Sequence, residues 1–343
     1  MLNRKIILFC SLVIAGVIVH LAFYGHRSSG GLAFILKSKV ALNSSEEMIG
    51  FRAVSSNRVK LVAERSAEIF LEQYAIANSN LTRVSRAALA TNFVANIKGM
   101  DWRQSSISPD GRYFVVYGSD SDRKSPRFSV YNLESNMLER QTTITTSIFR
   151  HYWQSDSKAV WEFYKVRTGV IRAVRRDVLT GAEQVESLIQ IPPEEAVPVG
   201  LVSDSEALII LPRVGNNGGK ITMIKARLLP NALNVEMDVP IGKKEEFAGV
   251  HGGNGETFLV SLGRTLAIPG IAGSVLNRTA QLVPRFRCSI AVINMNSGVL
   301  QRTSLEVDAE WTEGSISATF NGGYVYILTG QELMFGQFAS TEH

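Results

Sequence analysis

Cysteine is nearly absent from the chain. Of the two present, Cys10 falls in an apolar amino-terminal run, which leaves Cys288 alone. A disulfide framework is therefore excluded, and cysteine usage leaves the redox compartment open. Histidine is scarce as well, with five residues, and no H-E-x-x-H or Cys pair at metal-ligand spacing occurs. Neither a metal nor a cofactor is expected. An excess of one charge is also missing. Thirty-six Lys and Arg face 31 Asp and Glu, for a net charge of +5, and Arg4 and Lys5 contribute to it from the extreme amino terminus. So small and scattered an excess argues against nucleic acid as a partner. With 45% hydrophobic and 20% charged residues, the chain has the composition of a protein with a real core and not of a disordered one.

The sequence contains one long hydrophobic run, Ile6 to Tyr24, interrupted only by Ser11 and His20. Its length suits a bilayer span better than the shorter core of a cleaved signal peptide, about 7–15 residues. The basic cap Arg4-Lys5 keeps the amino end in the cytoplasm and puts the rest outside it. Residues 1–25 are thus expected to form a signal-anchor transmembrane helix, single-pass, with the carboxyl-terminal domain extracytoplasmic. Residues 26–98 read as a linker or stalk. Within it, Val59 to Ala77 fits an amphipathic helix with Val59, Val62, Ala63, Ile69, Phe70, Tyr74 and Ala77 on one side and Asn57 as its N-cap. Leu61 and Leu71 fall on the polar side of that helix.

Beyond residue 98 a turn repeats. Its fullest form is Ser108-Pro109-Asp110-Gly111-Arg112, running straight into Tyr113-Phe114-Val115-Val116-Tyr117. Diluted copies are centred on Asp156, Asp204, Asn254 and Asn321, at spacings of 46, 48, 50 and 67 residues. Asp and Asn close such turns on their own backbone, and Gly supplies a positive φ. A period near that of WD40 and kelch arrays predicts an all-β fold, a β-propeller of about five, possibly six, blades over residues 99–343. A two-layer sandwich is the rival, disfavoured because the turn recurs at fixed phase. The final blade lacks an obvious fourth strand, and Phe93 to Ile97 or Ala33 to Leu42 could supply it.

The segment Ile107 to Val115 resembles the repeat of TolB-like and WD40-like propellers, which also builds the propeller of dipeptidyl peptidase IV and prolyl oligopeptidase proteins. Asp177-Val178-Leu179-Thr180-Gly181 and Asn294-Met295-Asn296-Ser297-Gly298 resemble that repeat's closing strand and turn. The resemblance implies a propeller over roughly residues 99 to 338. In the peptidases the propeller gates a hydrolase domain, but no G-x-S-x-G elbow occurs here, so that activity is not expected.

Several side chains could carry chemistry. His151 and His251 fall near the ends of inner strands and could share a channel position. A glycosidase would need two facing carboxylates, for which Asp101, Glu194, Glu195, Glu246, Glu310 and Glu313 are the candidates. Lys165, Arg167, Arg172, Arg175 and Arg176 read as a solvated outer surface. Between the second and third strands of one blade lies a long apolar connection, Gly263 to Arg287, in which Ile268, Ile271 and Leu276 share a helical spacing and could contact a partner protein. No catalytic residue is identified. The expectation is a membrane-anchored, extracytoplasmic propeller acting as a protein-binding or assembly module, with a channel enzyme acting on carbohydrate as the alternative. If the apolar run stays attached, amino-terminal sequencing of the mature protein will begin at Met1 or Leu2. A start near Gly31, with the protein recovered as soluble, would contradict it.

Overall fold

The computed structural model describes residues 31–340 apart from 44, 66–67, 90–104, 120–125, 145–147, 193–196, 212–219, 229–234, 243–244, 266–285, 309–315, 322 and 330–331. The described chain is all-β. It opens with β1 (Leu32–Ala41) and then folds as consecutive antiparallel meanders, termed blades I to VI. Blade I is β2 (Glu47–Ser55), β3 (Arg58–Arg65), β4 (Glu68–Ala77) and β5 (Asn80–Ala88). Blade II is β6 (Ser105–Ile107), β7 (Tyr113–Ser119), β8 (Pro126–Asn132) and β9 (Met137–Thr143). Blade III is β10 (Arg150–Trp153), β11 (Ala159–Arg167), β12 (Val170–Asp177) and β13 (Glu183–Gln190). Blade IV is β14 (Val197–Ser203), β15 (Glu206–Leu211), β16 (Lys220–Arg227) and β17 (Val235–Pro240). Blade V is β18 (Glu245–Gly253), β19 (Thr257–Thr265), β20 (Phe286–Asn294) and β21 (Leu300–Asp308). Blade VI contains β22 (Ser317–Asn321), β23 (Tyr324–Leu328) and β24 (Glu332–Ser340), and β1 completes it.

Blades I to IV are separate four-stranded sheets. Blades V and VI merge into one eight-stranded sheet through a single parallel bridge, Leu32 to Thr303. Strand β1 pairs antiparallel with β24 from Leu32–Ser340 to Ala41–Glu332, so the two ends of the described chain close the ring together. That pairing satisfies an edge that β24 would otherwise leave open. Of the two segments considered for closure, Ala33 to Leu42 is the one that pairs, and Phe93 to Ile97 lies outside the described residues.

The expected architecture needs correcting in its helices. Val59 to Ala77 is not helical but spans β3 and β4, which pair from Arg58–Ala75 to Arg65–Glu68. Leu61 and Leu71, misfits on the helical wheel, are buried there, together with Val59, Val62, Ala63 and Ile69. A strand buried on both faces reads as a nearly continuous apolar run, which periodicity alone does not separate from a helix. This region is a blade and not a stalk. The expected span Ile6 to Tyr24 lies outside the described residues, and among those no helix is long and apolar enough to cross a membrane.

The core is not one cluster but a series of wedges. Phe114 and Val116 pack against Ile49, Val62 and Leu71 of blade I, whereas Val115 and Tyr117, one residue out of phase, pack against Val160, Tyr164 and Val174 of blade III. Equivalent clusters join III to IV, IV to V and V to VI. The last joins VI back to I, with Tyr326, Leu328 and Phe335 against Leu61, Ala63 and Tyr74. At about 1.5–3 kcal/mol for each large apolar side chain buried, these wedges dominate the stability.

The repeated turn does more than reverse the chain. In blade II, Asp110 Oδ1 accepts the Arg112 amide at 3.0 Å and the Ser108 hydroxyl at 2.6 Å, and Gly111 holds φ at 73°. Ser157 takes the same left-handed place in blade III, with φ at 60°. At four of the blade junctions this turn is also held by the neighbouring blade. Lys60 Nζ of blade I donates to the Gly111 carbonyl at 2.8 Å, and the Asp110 amide donates to Ser157 Oγ at 3.0 Å. Ser155 donates its amide and hydroxyl to the two carboxylate oxygens of Asp204, both at 2.8 Å, while Trp161 Nε1 donates to the Asp204 carbonyl at 3.0 Å. The Tyr326 hydroxyl donates to the Ser56 carbonyl at 2.7 Å, linking VI to I. A Cβ on Gly111 would meet the Val54 methyl at 2.5 Å as well as straining the backbone. Gly111→Val should therefore cost about 1–3 kcal/mol, the scale of a strained backbone position, in a urea denaturation series. An unchanged midpoint would mean that the turn does not constrain the ring.

Candidate functional site

Each blade starts at the centre. Strands β2, β6, β10, β14, β18 and β22 are the first of their meanders, so each presents one backbone edge that no strand of its own sheet covers. These inner strands approach one another around the ring, and Ser106 on β6 reaches His151 on β10. Between them lies a cavity of about 940 Å³. Among the described residues its charged lining consists of Arg52, Arg150 and Asp204, joined by the two imidazoles of His151 and His251.

Local alternation decides where each of these side chains goes. On β10, His151 turns toward blade II, where its ring lies 4.7 Å from that of Tyr117 and its Nε2 is 2.6 Å from Ser106 Oγ. Tyr152 turns the other way and donates to the Pro198 carbonyl at 2.7 Å. Arg150 stays partly exposed, donating to the Phe149 carbonyl at 3.3 Å and lying over that ring. His251 on β18 hydrogen-bonds the backbone of Ile316. One ring nitrogen of each histidine, Nδ1 of His151 and Nε2 of His251, is buried without a described partner.

Burial, helped by the neighbouring Arg150 charge, pushes the His151 pKa down to about 3, and burial pushes His251 down to about 4. Both are neutral at pH 7. The Ser106–His151 contact has the spacing of a nucleophile and its base, yet an imidazole this weakly basic is mismatched to proton abstraction near neutrality. Beneath it, Tyr117 donates to Glu162 at 2.8 Å, and Tyr164 donates to the same carboxylate at 2.5 Å. Arg176 Nε and Nη2 reach Glu162 at 2.6 and 2.9 Å. With both oxygens occupied and both charged partners buried, this pair holds blade III together and does not face the cavity as a reagent.

The two histidines singled out in the sequence therefore do line one cavity. Glu246 sits on β18, although its side chain is not described, and Asp101, Glu194, Glu195, Glu310 and Glu313 lie outside the described residues. So do Ile268, Ile271 and Leu276. Among the described residues no three His, Cys, Asp or Glu side chains gather as a metal site would require. Of the basic set read as an outer surface, Arg172 pairs with Glu183 and Glu186, but Arg176 is buried on Glu162. Sequence reasoning missed Arg52 because its segment read as a stalk. The signal available was the alternation Phe51, Arg52, Ala53, which places one charge between two inward apolar residues. His251-Gly252-Gly253 has a packing explanation: a Cβ on Gly252 would fall 1.8 Å from the Ala318 carbonyl oxygen of blade VI.

The histidines imply a pH dependence. Below about 6.5 the unfolded chain binds protons at these imidazoles that the folded protein refuses until pH 4 or 3, so stability is lost as pH falls through that window. The melting temperature should fall between pH 7 and pH 5, and His151→Gln should flatten part of that slope. A slope identical in the variant would show that His151 does not stay neutral in the fold.

No family model matches the chain, and no curated protein matches it. Solved structures do. A TolB structure from Agrobacterium tumefaciens is similar at a TM-score of 0.51 and 11% identity, over 91% of this chain and 99% of that one. The WD40 repeats of RRP9 are similar at a TM-score of 0.47 and 8% identity, over 89% and 100%. An acylaminoacyl peptidase from Pyrococcus horikoshii is similar at a TM-score of 0.45 and 11% identity, over 84% of this chain and only 44% of the peptidase. The chain thus spans less than half of the peptidases it resembles. The likeness extends to the fold alone: the protein is a β-propeller, similar in fold to the TolB structure.

Proposed function

We propose that this protein is a binding module, a propeller that holds a protein partner at the mouth of its central cavity. The observation that carries the reading is the cavity itself. About 940 Å³ of space is walled by open strand edges and two arginines, at the centre of a ring whose turns are bonded to one another. Rigid walls with exposed backbone donors and acceptors suit recognition of an extended segment, because little has to be ordered when it binds. The apolar run Ile6 to Tyr24 and its basic cap support an extracytoplasmic position with attachment to the membrane. A carbohydrate hydrolase would need facing carboxylates, and the one carboxylate in the described lining, Asp204, is engaged by Ser155.

A photo-crosslinking amino acid placed at Ser203, exposed on the cavity lip, should yield a discrete protein adduct in the native cell. The same residue at Leu188, exposed on the outer strand β13, should not. No adduct from Ser203, or equal adducts from both positions, would overturn the reading.

A further inference from the structure

We infer that the central cavity is an oxyanion-binding site in which Arg52 is the principal ligand and Arg150 the second cation, so that the group seated there is a carboxylate or a phosphate. The inference rests on the binding-module reading only for where that anion comes from.

Arg52 stands near the middle of the innermost strand of blade I. Its neighbours Phe51 and Ala53 turn into the core shared with blade VI. Gly50, two residues back on the Arg52 face, lies against Phe114 of blade II, where a Cβ would come within 2.6 Å of the ring. The arginine is therefore directed to the wedge between blades I and II, on the wall of the cavity. Among the described residues no carboxylate pairs with it and none accepts a hydrogen bond from it. Directly across the ladder is a second cation, Lys60, whose ammonium is committed to the Gly111 carbonyl. Like charges set opposite each other on a sheet repel, and a charge withdrawn from water is ordinarily paired. Arg52 is half-buried, and the desolvation this brings pulls its guanidinium below its usual pKa.

The rest of the lining points the same way. Arg150 is described with one hydrogen bond, to a carbonyl, and most of its five donors remain available. Asp204, the one carboxylate of the described lining, gives both its oxygens to Ser155. His151 and His251 each add a buried ring nitrogen without a described partner, and being neutral they add polarity without charge. A guanidinium fork matches the two oxygens of a carboxylate or phosphate in a way that a point charge does not. The cavity is far larger than one such group, so the oxyanion is carried on a larger body. That body is either a free organic acid or phosphate ester, or an acidic stretch of the bound partner.

Three probes separate these sources: sodium phosphate, sodium citrate, and an acetylated octapeptide of alternating Asp and Glu. Each is titrated calorimetrically into the whole protein at low ionic strength. At least one should bind saturably and raise the melting temperature. Arg52→Gln should weaken it by about tenfold or more, the scale of one lost charge-assisted bond, Arg52→Lys should fall between, and Arg58→Gln, exposed on the adjoining strand, should match wild type. Without a probe, Arg52→Gln should melt no lower than wild type, since it removes an unpaired cation, and this establishes that the variant folds. Binding of phosphate or citrate assigns a free anion, whereas binding of the peptide alone assigns a partner's carboxylates. Failure of all three probes, or equal affinity in Arg52→Gln, overturns the site. If the Ser203 adduct forms but no probe binds through Arg52, the partner stands and the oxyanion site falls. If anions bind through Arg52 but no adduct forms, the site stands and the protein partner falls.

Discussion

The ring is tied at its inner end by one kind of contact, the hydrogen bonds through which an inner turn and the neighbouring blade hold each other, described at four of the six junctions. A polar turn between the first two strands of a blade is a local event, satisfied by its own Asp. Here its outward-facing groups are also taken by the neighbouring blade: Asp110 by Ser157, Ser155 by Asp204, Gly111 by Lys60. Hydrogen bonds of this kind contribute only about 1 kcal/mol each. Their importance is geometric, because they set the angle at which consecutive sheets meet. The ring comes back to its start where Tyr326 of the last blade finds Ser56 of the first.

Given that angle, the cores follow. Each inner or middle strand has two apolar faces, one for the blade before it and one for the blade after, which is why Phe114 and Val115 belong to different clusters. No cluster is large, and none is enclosed until both blades are in place. Stability of this form is cooperative around the circle, and it makes closure by β1 a condition for all six interfaces and not a decoration of one. The buried Glu162–Arg176 pair fits the same logic. Taking both charges out of water is costly, and breaking such a pair costs about 3–5 kcal/mol, so its value is in fixing how β11, β12 and Tyr117 of the previous blade sit together.

The centre of the ring obeys different rules. The strands that converge there have spent their side chains on the interfaces, and what remains toward the axis is backbone edge and the few residues whose alternation turns them inward. Charge at such a place is not diluted by solvent as it is outside. His151 and His251 respond by staying neutral, whereas an arginine has no such escape, because its pKa is too high for burial to discharge it. Among the described residues the charged lining of the cavity is two arginines and one aspartate. Two residues that are unrelated in the sequence, Arg52 on β2 and Arg150 on β10, line one cavity.

The propeller fold was legible in the chain because its determinants are local. A Ser-Pro-Asp-Gly turn closes on its own backbone, a positive φ selects Gly, and the period of about 46–50 residues needs no knowledge of what packs where. His151 and His251 were legible as a pair because both lie on the strand that precedes a repeated turn. Blade I could not be read, because β3 and β4 bury apolar residues on both faces, which blurs the alternation that distinguishes a strand. Only the tertiary structure showed that inner turns bond to neighbouring blades, that Arg176 is buried while its sequence neighbours are not, and that Arg52 lines the cavity. Those facts depend on which blade lies beside which, across separations of about 45 residues and more. By itself the sequence determined the repeating unit; the angle between units, and with it the cavity, was decided by contacts that no single repeat contains.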